Sequence, residues 1–487
     1  MMLAETPMIR ALAFAALLLL PALAGCSVNP ATGERSFTTF MGPESESRIG
    51  REQHPQIVRA FGGAYPDRRL QDYVSRLGQR LARVTEMPDL EFTFTILDTP
   101  AVNAFALPGG YVYVTRGLLA LASDEAELAG VVAHEIGHIT AWHSAQRYSQ
   151  QVVAELGATV VGAITGSDEV ADAFSFGAAT VLQSYSRDQE FEADTLGVRY
   201  LGRAGYALDA MAGLLEKLDR HSRFEAELSG QPAGQIDARN IMATHPRTLD
   251  RVQRAATVAG AGSGRRERET YLQMIDGLVY GDDPDRGFVR GQTFVHAGRG
   301  IRFDVPTGFE IVNGARQVVA QNRNGASIAF DSVRAEPLMM TDYVRDVWGR
   351  SLAVNDVVKL DMAGFDAATA SARIQARRGP LDLRLLAVRT ETAINRFLFL
   401  TPTHLTAALA PDLRKVESSF RRLTPGEVAA VRPQRIRLHV VRPGETRAQL
   451  IDYMAHERGR ERRFDIMNGL AEGAMPAASS LVKVVAE

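Results

Sequence analysis

The stretch H-E-I-G-H at residues 134–138 constrains the fold of this 487-residue chain more than any other feature. A helix places residues i and i+4 on one face, so His134 and His138 can direct ring nitrogens at one ion. Ser123 is a candidate N-cap, and acidic residues follow it in the favourable first turn. Glu135 would lie beside the two rings, where it can act on a water molecule. The alternative is a buried amphipathic helix whose two histidines are only hydrogen-bonded.

A catalytic zinc site needs a third protein ligand and an open coordination position. The residues just after the motif do not follow the metzincin pattern, because Ala141 and Ser144 occupy the places of its glycine and histidine. His143 is one residue out of that register, and we expect it to be exposed. The third ligand must therefore come from another part of the chain.

The segment S-R-D-Q-E-F-E-A-D offers the best third ligand. Its Ser186 and Gln189 form an S-x-x-Q capping box, which predicts the start of a helix. Glu190 then lies in the first turn and completes a His-His-Glu set, with Asp194 one turn later on the same face. Asp194 can orient a metal-bound histidine through its second ring nitrogen, or contact reaction intermediates. Glu192 points to another side and is a weaker candidate.

These motifs, together with N-A-F-A-L-P-G-G-Y-V-Y-V-T-R-G-L-L before the first of them, resemble the family of zinc metallopeptidases that includes HtpX, BepA and the CAAX prenyl protease. The resemblance covers roughly residues 43–260. It implies one zinc ion per chain, bound by His134, His138 and Glu190. It also implies Glu135 as the general base and Asp194 as a second catalytic acid.

Two further segments fit this resemblance, each with an alternative. The strand Y-V-Y-V at 111–114 could be an open edge that pairs with an extended substrate, or an ordinary core hairpin. His245, in M-A-T-H-P-R-T-L-D-R, resembles the family histidine that can approach the zinc. Our hypothesis is that His245 is a regulatory fourth ligand of a resting state. The alternative is a helix-start histidine held in position by Pro246.

The first residues resemble a bacterial lipoprotein signal. The apolar run after Arg10 is shorter than the roughly 20 residues of a membrane span. It ends in L-A-G-C, which resembles a lipobox and implies lipid attachment at Cys26 after removal of residues 1–25. Cys26 is the only cysteine, which excludes an internal disulfide. Ser27 at the next position favours the periplasmic face of the outer membrane; the alternative is a plain secretory signal.

We expect an α+β fold class and five segments. After the signal peptide (1–25) and a tether (26–42), residues 43–262 are predicted to form a mainly helical zincin-type, gluzincin-like metallopeptidase domain with a small β-sheet. Period-two apolar runs between turn residues predict a small α+β domain at 285–425. Residues 434–487 resemble a LysM module through R-P-G-E-T, N-G-L and a closing strand, which implies binding of peptidoglycan-type glycans. Long helices are predicted at 124–150, 187–204, 207–220 and 246–258.

The net charge and the motifs together limit the functions that this chain can have. The formal net charge of −2 gives no global attraction to nucleic acid. The leading hypothesis is a lipid-anchored zinc metalloendopeptidase of the cell envelope. It would cleave extended or misfolded polypeptides in periplasmic quality control or outer-membrane assembly. Two alternatives stay open: a periplasmic chaperone or scaffold with secondary proteolysis, and a peptidoglycan-associated binding protein.

Overall fold

The computed structural model describes residues 26–37, 42–147, 185–228, 245, 257 and 264–487, apart from 316, 363, 377–378 and 456–458. The predicted signal peptide and most of the predicted helix 246–258 lie outside these residues. The chain divides into two compact units, Met1–Leu278 with Arg435–Ala486, and Val279–Gln434. Both contain helices and strands, which confirms the α+β prediction at that level. Within the described residues, no helix has the length and apolar character needed to cross a bilayer.

The first unit is built around one helix that is buried along its whole length. Its strands are β1 (Cys26–Val28), β2 (Arg35–Phe37), β3 (Thr93–Leu97), β4 (Ala104–Leu107) and β5 (Tyr111–Thr115). Its helices before residue 279 are α1 (Pro43–Ala60), α2 (Arg68–Ala82), α3 (Arg116–Leu121), α4 (Glu125–Thr140), α5 (Arg187–Arg203), α6 (Ala210–Leu228) and α7 (Arg268–Ile275). All sixteen residues of α4 are buried, so α4 forms the centre of the unit.

A three-stranded sheet packs against α4 in the order β3-β5-β4. Strand β5 runs parallel to β3 and antiparallel to β4. Because β5 has a neighbour on both sides, the open-edge alternative for residues 111–114 is wrong, and the alternative of a core hairpin, formed with β4, is confirmed. Strand β4, whose four residues are all buried, ends the sheet on the other side of β5 within the described residues.

Glycines let helices α4 and α5 approach each other closely. A Cβ added at Gly137 would lie 3.0 Å from the carbonyl oxygen of Ala193. One added at Gly197 would lie 3.2 Å from the backbone nitrogen of His134 and 2.5 Å from the Cε of Met211. A larger side chain at either position would force the two helices apart. The close crossing therefore depends on these two glycines.

The segment predicted as a tether forms a hairpin over residues 26–37. Strands β1 and β2 pair in antiparallel register. The turn residue Asn29 is fully buried, and its side-chain amide donates to the carbonyl of Thr140 at 2.8 Å. The guanidinium of Arg199 also donates to the carbonyl of Ala31 at 3.1 Å. The hairpin is thus attached to the last residue of α4 and to α5.

The second unit contains two antiparallel sheets. Its strands are β6 (Val279–Tyr280), β7 (Phe288–Arg290), β8 (Thr293–His296), β9 (Ile301–Asp304), β10 (Phe309–Asn313), β11 (Val318–Asn322), β12 (Ser327–Arg334), β13 (Asn355–Met362), β14 (Phe365–Ala376), β15 (Gly379–Arg389), β16 (Ala393–Pro402) and β17 (Arg421–Arg422). The larger sheet has the order β10-β11-β12-β16-β15-β14-β13 and the smaller one β17-β9-β8-β7. The helices are α8 (Met340–Asp342), α9 (Thr406–Ser419) and α10 (Pro425–Ala430). Helix α9 buries Leu413 and Val416 in an aromatic core that includes Phe397 and Phe420.

The C-terminal segment belongs to the first unit. It comprises β18 (Gln434–Val440), α11 (Arg447–Asp452), α12 (Arg460–Asn468) and β19 (Leu481–Ala486), and β18 pairs antiparallel with β19. The buried ammonium group of Lys483 donates to the carbonyls of Ala120, Leu121 and Ala122, at 2.8, 3.0 and 2.6 Å. Strand β19 is therefore anchored at the end of α3, three residues before α4 begins.

Candidate metal centre

Three imidazoles and one carboxylate converge inside the first unit. They belong to His134, His138, Glu190 and His245, all buried, and one donor atom from each lies within 4.8 Å of the others. The Nε2 atoms of His134 and His138 are 3.0 Å apart, and Glu190 carboxylate oxygens lie 3.7 Å and 3.4 Å from them. Ligands about 2.0 Å from a tetrahedral zinc ion lie about 3.3 Å from one another. The spacing therefore fits a zinc ion.

Helix capping sets the positions of these ligands. Ser186 and Gln189 form the predicted capping box at the start of α5, which is confirmed, and this places Glu190 in the first turn. The N-cap of α4 is Asp124 rather than the predicted Ser123, because the Asp124 side chain accepts from the backbone of Glu127. The Ser123 hydroxyl instead accepts a hydrogen bond from Lys217 at 2.6 Å.

Glu135 lies beside the ligand group and is fully buried. Within the described part of the chain, neither of its carboxylate oxygens has a hydrogen-bond partner. The Nε2 of His245 lies 3.5 Å from one of them. A buried carboxylate without such partners costs free energy, and functional sites are where that cost is tolerated. Its place beside the donor cluster fits a general base that binds a reacting water molecule.

Asp194 contacts the first histidine from the side opposite the donor cluster. Its Oδ1 lies 2.9 Å from the Nδ1 of His134, and both side chains are buried. A carboxylate at this position accepts the Nδ1 proton, so the Nε2 lone pair of His134 faces the cluster. Of the two roles predicted for Asp194, this geometry supports the orienting one.

His143 is buried, so the prediction that it is exposed is wrong. Its Nδ1 lies 2.8 Å from the Nδ1 of His138, and its Nε2 lies 2.9 Å from a carboxylate oxygen of Glu192. Tyr185 stacks on the ring of His138 with centroids 3.7 Å apart. Burial lowers the pKa of His138 well below its usual value and also lowers the pKa of His143, so both rings are neutral at pH 7.

The six residues predicted for the site are thus close together: His134, Glu135, His138, Glu190, Asp194 and His245. Sequence reasoning set aside His143 and Glu192 and missed Tyr185. The sequence did contain a signal for the pair of His143 and Glu192, because a second histidine follows the H-E-x-x-H motif and a second glutamate lies in the S-R-D-Q-E-F-E-A-D segment. Cys26 begins β1, and its side chain lies outside the described atoms.

Comparisons with known proteins support the same interpretation. Residues 68–259 match the model of Peptidase family M48. The chain is 32% identical to the beta-barrel assembly-enhancing protease of Escherichia coli K12 over 239 residues, covering 45% of this chain and 46% of that protein. It is 30% identical over 198 residues to the mitochondrial metalloendopeptidase OMA1 of Schizosaccharomyces pombe, covering 39% and 56%. The chain therefore spans about half the length of these curated relatives.

Proposed function

We propose that this chain, whose residues 68–259 match the model of Peptidase family M48, is a zinc-dependent endopeptidase of that family. The observation that carries the proposal is the convergence of two histidines and a glutamate beside a buried carboxylate, that of Glu135, which accepts no hydrogen bond within the described residues. Substrates would be extended or misfolded polypeptides, whose peptide bonds can reach a buried site.

The residues present divide into ligands and catalytic groups. His134, His138 and Glu190 would hold the metal, which matches the His2Glu set of catalytic zinc sites. Zinc, when bound, would lower the pKa of a coordinated water and polarise the substrate carbonyl. Glu135 would take the proton from the attacking water and deliver it to the leaving amine. Asp194 would hold the ring of His134 in the orientation that presents Nε2.

The test of this proposal is the substitution Glu135→Gln. The amide keeps the shape of the side chain but cannot accept the proton, so casein cleavage should fall by roughly 10²-fold or more. Zinc content should stay at one ion per chain, because Glu135 is not a ligand. Glu44→Gln, at an exposed glutamate of α1, is the matched control. Unchanged cleavage by Glu135→Gln would refute the proposed role.

The same variant separates the protease from the alternative of a chaperone or scaffold. A holdase activity would depend on binding surfaces, so suppression of the aggregation of a denatured client protein should survive Glu135→Gln. If cleavage is lost and this suppression is kept in full, the chaperone role gains support alongside the peptidase. Loss of both together would argue for proteolysis alone.

We propose that His245 occupies a fourth ligand position in a resting state. Its Nδ1 lies 2.8 Å from Glu190 and 3.3 Å from the Nε2 of His134. A ligand there would exclude water and substrate until it moves away. His245→Ala should therefore raise basal casein cleavage and weaken zinc binding, whereas the exposed His404→Ala should change neither. Unchanged cleavage and zinc affinity in His245→Ala would contradict the switch.

We also propose a lipid-anchored position in the cell envelope, on the periplasmic face of the outer membrane. The L-A-G-C sequence ending at Cys26 supports it, as does similarity to a relative named for beta-barrel assembly. Cys26→Ser should move the protein from the membrane fraction to the soluble fraction after cell lysis. Retention of this variant in the membrane fraction would contradict lipid anchoring.

Glycan binding by the LysM-like segment 434–487 is a separate proposal. The loop Arg442–Gly444 after β18 is exposed, which leaves it open to a ligand. The wild-type chain should co-sediment with purified peptidoglycan sacculi, and this should decrease after the glycan strands are digested. Failure to co-sediment would contradict the proposal that peptidoglycan is a binding partner.

A further inference from the structure

The contact between His143 and His138 requires an interruption of the helix that carries them. Residues five apart on a continuous helix point about 140° away from each other. Here α4 ends at Thr140, and the backbone of Trp142 adopts a positive φ of 59°. The chain turns there and continues as a separate helical segment at 143–147. This turn brings the ring of His143 back to the Nδ1 of His138.

The backbone of Trp142 is in a conformation that bulky residues rarely adopt. A positive φ costs roughly 1–3 kcal/mol when the residue is not glycine. The surrounding contacts must offset that cost, and the buried pair formed by His143 with His138 is one of them. An unfavourable backbone conformation next to a ligand is a recurrent feature of functional sites.

The direction of each hydrogen bond in this chain of contacts follows from the carboxylate at its end. An ionised Glu192 can only accept, so the Nε2 of His143 must be the donor. A neutral His143 then has a bare Nδ1, which accepts from the Nδ1–H of His138. The proton of His138 is thereby placed on Nδ1, and its Nε2 has a free lone pair. That Nε2 is the atom facing His134 and Glu190.

We propose that His143 and Glu192 are positioning residues that select the tautomer and ring orientation of His138 for metal binding. The inference rests on the proposed zinc site. It gives each ligand histidine its own carboxylate: Asp194 acts directly on His134, and Glu192 acts on His138 through the ring of His143.

The first test measures zinc affinity of the full-length protein by competition with a chromophoric chelator. Loss of an outer partner of a metal-bound histidine weakens metal binding by about 10- to 100-fold. We expect a loss in this range for His143→Ala. His143→Asn should recover part of it, because its amide oxygen can accept near the position of Nδ1. Asp188→Asn, at an exposed carboxylate in the same helix α5, should bind zinc like the wild type.

Glu192 should act only through His143. Glu192→Leu should therefore weaken zinc binding by itself but cause no further loss in a His143→Ala background. Equal losses in both backgrounds would overturn the relay, as would wild-type affinity in His143→Ala. A wild-type chain that binds no zinc would instead refute the proposed function, so the two failures are distinguishable.

A second measurement uses the wild-type protein and does not depend on whether the variants fold. Long-range proton–nitrogen NMR correlations of the histidine-labelled, zinc-loaded protein report which ring nitrogen carries a proton. The proposal predicts protons on Nδ1 of His138 and on Nε2 of His143. A proton on Nδ1 of His143 would overturn it.

Discussion

At the residue scale, the geometry of the site depends on the side chains that hydrogen-bond to the ligand histidines as well as on the ligands themselves. The carboxylate of Asp194 lies 2.9 Å from the Nδ1 of His134. Two buried imidazoles with Nε2 atoms 3.0 Å apart need such partners, because each ring could otherwise turn or adopt the other tautomer. The acids at the second motif are thus as important for the geometry as the H-E-x-x-H residues.

The first prediction at this scale concerns Asp194→Asn. The amide removes the negative charge and can present either oxygen or nitrogen to His134, so the ring orientation is no longer fixed. Zinc affinity should fall by roughly tenfold, measured by chelator competition. Asp188→Asn serves as the control on the same helix. Wild-type zinc affinity in Asp194→Asn would show that the contact does not position the ring.

The second prediction at this scale concerns the pH dependence of folding in the second unit. Burial lowers the pKa of His296 from 6.5 to about 4, and its Nδ1 accepts from the backbone of Arg299 at 3.3 Å. The unfolded chain binds a proton below pH 6.5, whereas the folded chain does so only near pH 4. Stability present above pH 6.5 is therefore lost as the pH falls from 6.5 to 4.

Between pH 7 and pH 5, protonation of His296 in the unfolded chain should lower the free energy of unfolding by about 2 kcal/mol. The measurement is urea denaturation at both pH values. His296→Asn keeps an acceptor for Arg299 but does not titrate, so its loss over this interval should be smaller by that amount. The exposed His404→Asn should behave like the wild type. Equal pH dependence in wild type and His296→Asn would contradict the assignment.

At the element scale, the sequence predicts local features of helices and strands better than it predicts which elements contact each other. The start of α5 was predictable because the capping box from Ser186 to Gln189 is local. The burial of His143 was not, because the sequence pattern predicts one long helix over 124–150, whereas the chain turns at Trp142. The sequence left β5 open between an edge strand and a core hairpin, because a single strand pattern does not reveal how many neighbours pair with it.

The packing of the C-terminal segment is a long-range relation that no local pattern reveals. Lys217 pairs with Glu127 in the first turn of α4 at 2.7 Å, and Lys483 donates to three carbonyls at the end of α3. Three acceptors match the three N–H groups of an ammonium ion. The start of the helix that carries the histidines is therefore held in part by residues near the end of the sequence.

The prediction at this scale is that Lys483→Met destabilises the first unit. Methionine has a similar length but cannot donate, so three buried carbonyls lose a partner. The free energy of unfolding should fall by about 2 kcal/mol or more, measured by urea denaturation. Lys415→Met removes a lysine that is 74% exposed and should have little effect. A stability equal to that of the wild type would show that Lys483 does not anchor β19 at the end of α3.

At the scale of the whole molecule, the second unit is inserted into the first. Leu278 and Ile436, which flank the insertion, are adjacent, because the backbone N–H of Ile436 donates to the carbonyl of Leu278 at 2.8 Å. Gly277 in turn donates to the carbonyl of Ile436 at 2.8 Å. A discontinuous unit whose two ends already meet resembles a domain that accepts insertions.

This arrangement predicts different results for two deletions. Replacing residues 279–434 by a short glycine-serine linker should leave a folded protein that still binds one zinc ion, because the ends are already paired. Deleting 435–487 should instead lower stability and zinc occupancy, since it removes Lys483. Circular dichroism melting and zinc content of both variants provide the measurement. An unfolded linker variant together with a stable truncation would contradict the insertion.

The most direct test of the central claim is the zinc content of the purified full-length chain and of its Glu190→Ala variant. Glu190 is the ligand that comes from the second motif, and its carboxylate lies 3.4 Å and 3.7 Å from the two histidine nitrogens. We predict one zinc ion per chain in the wild type and a strongly reduced content in Glu190→Ala, with wild-type content in Asp188→Ala. A wild type without zinc, or a Glu190→Ala variant with full zinc content, would contradict the account.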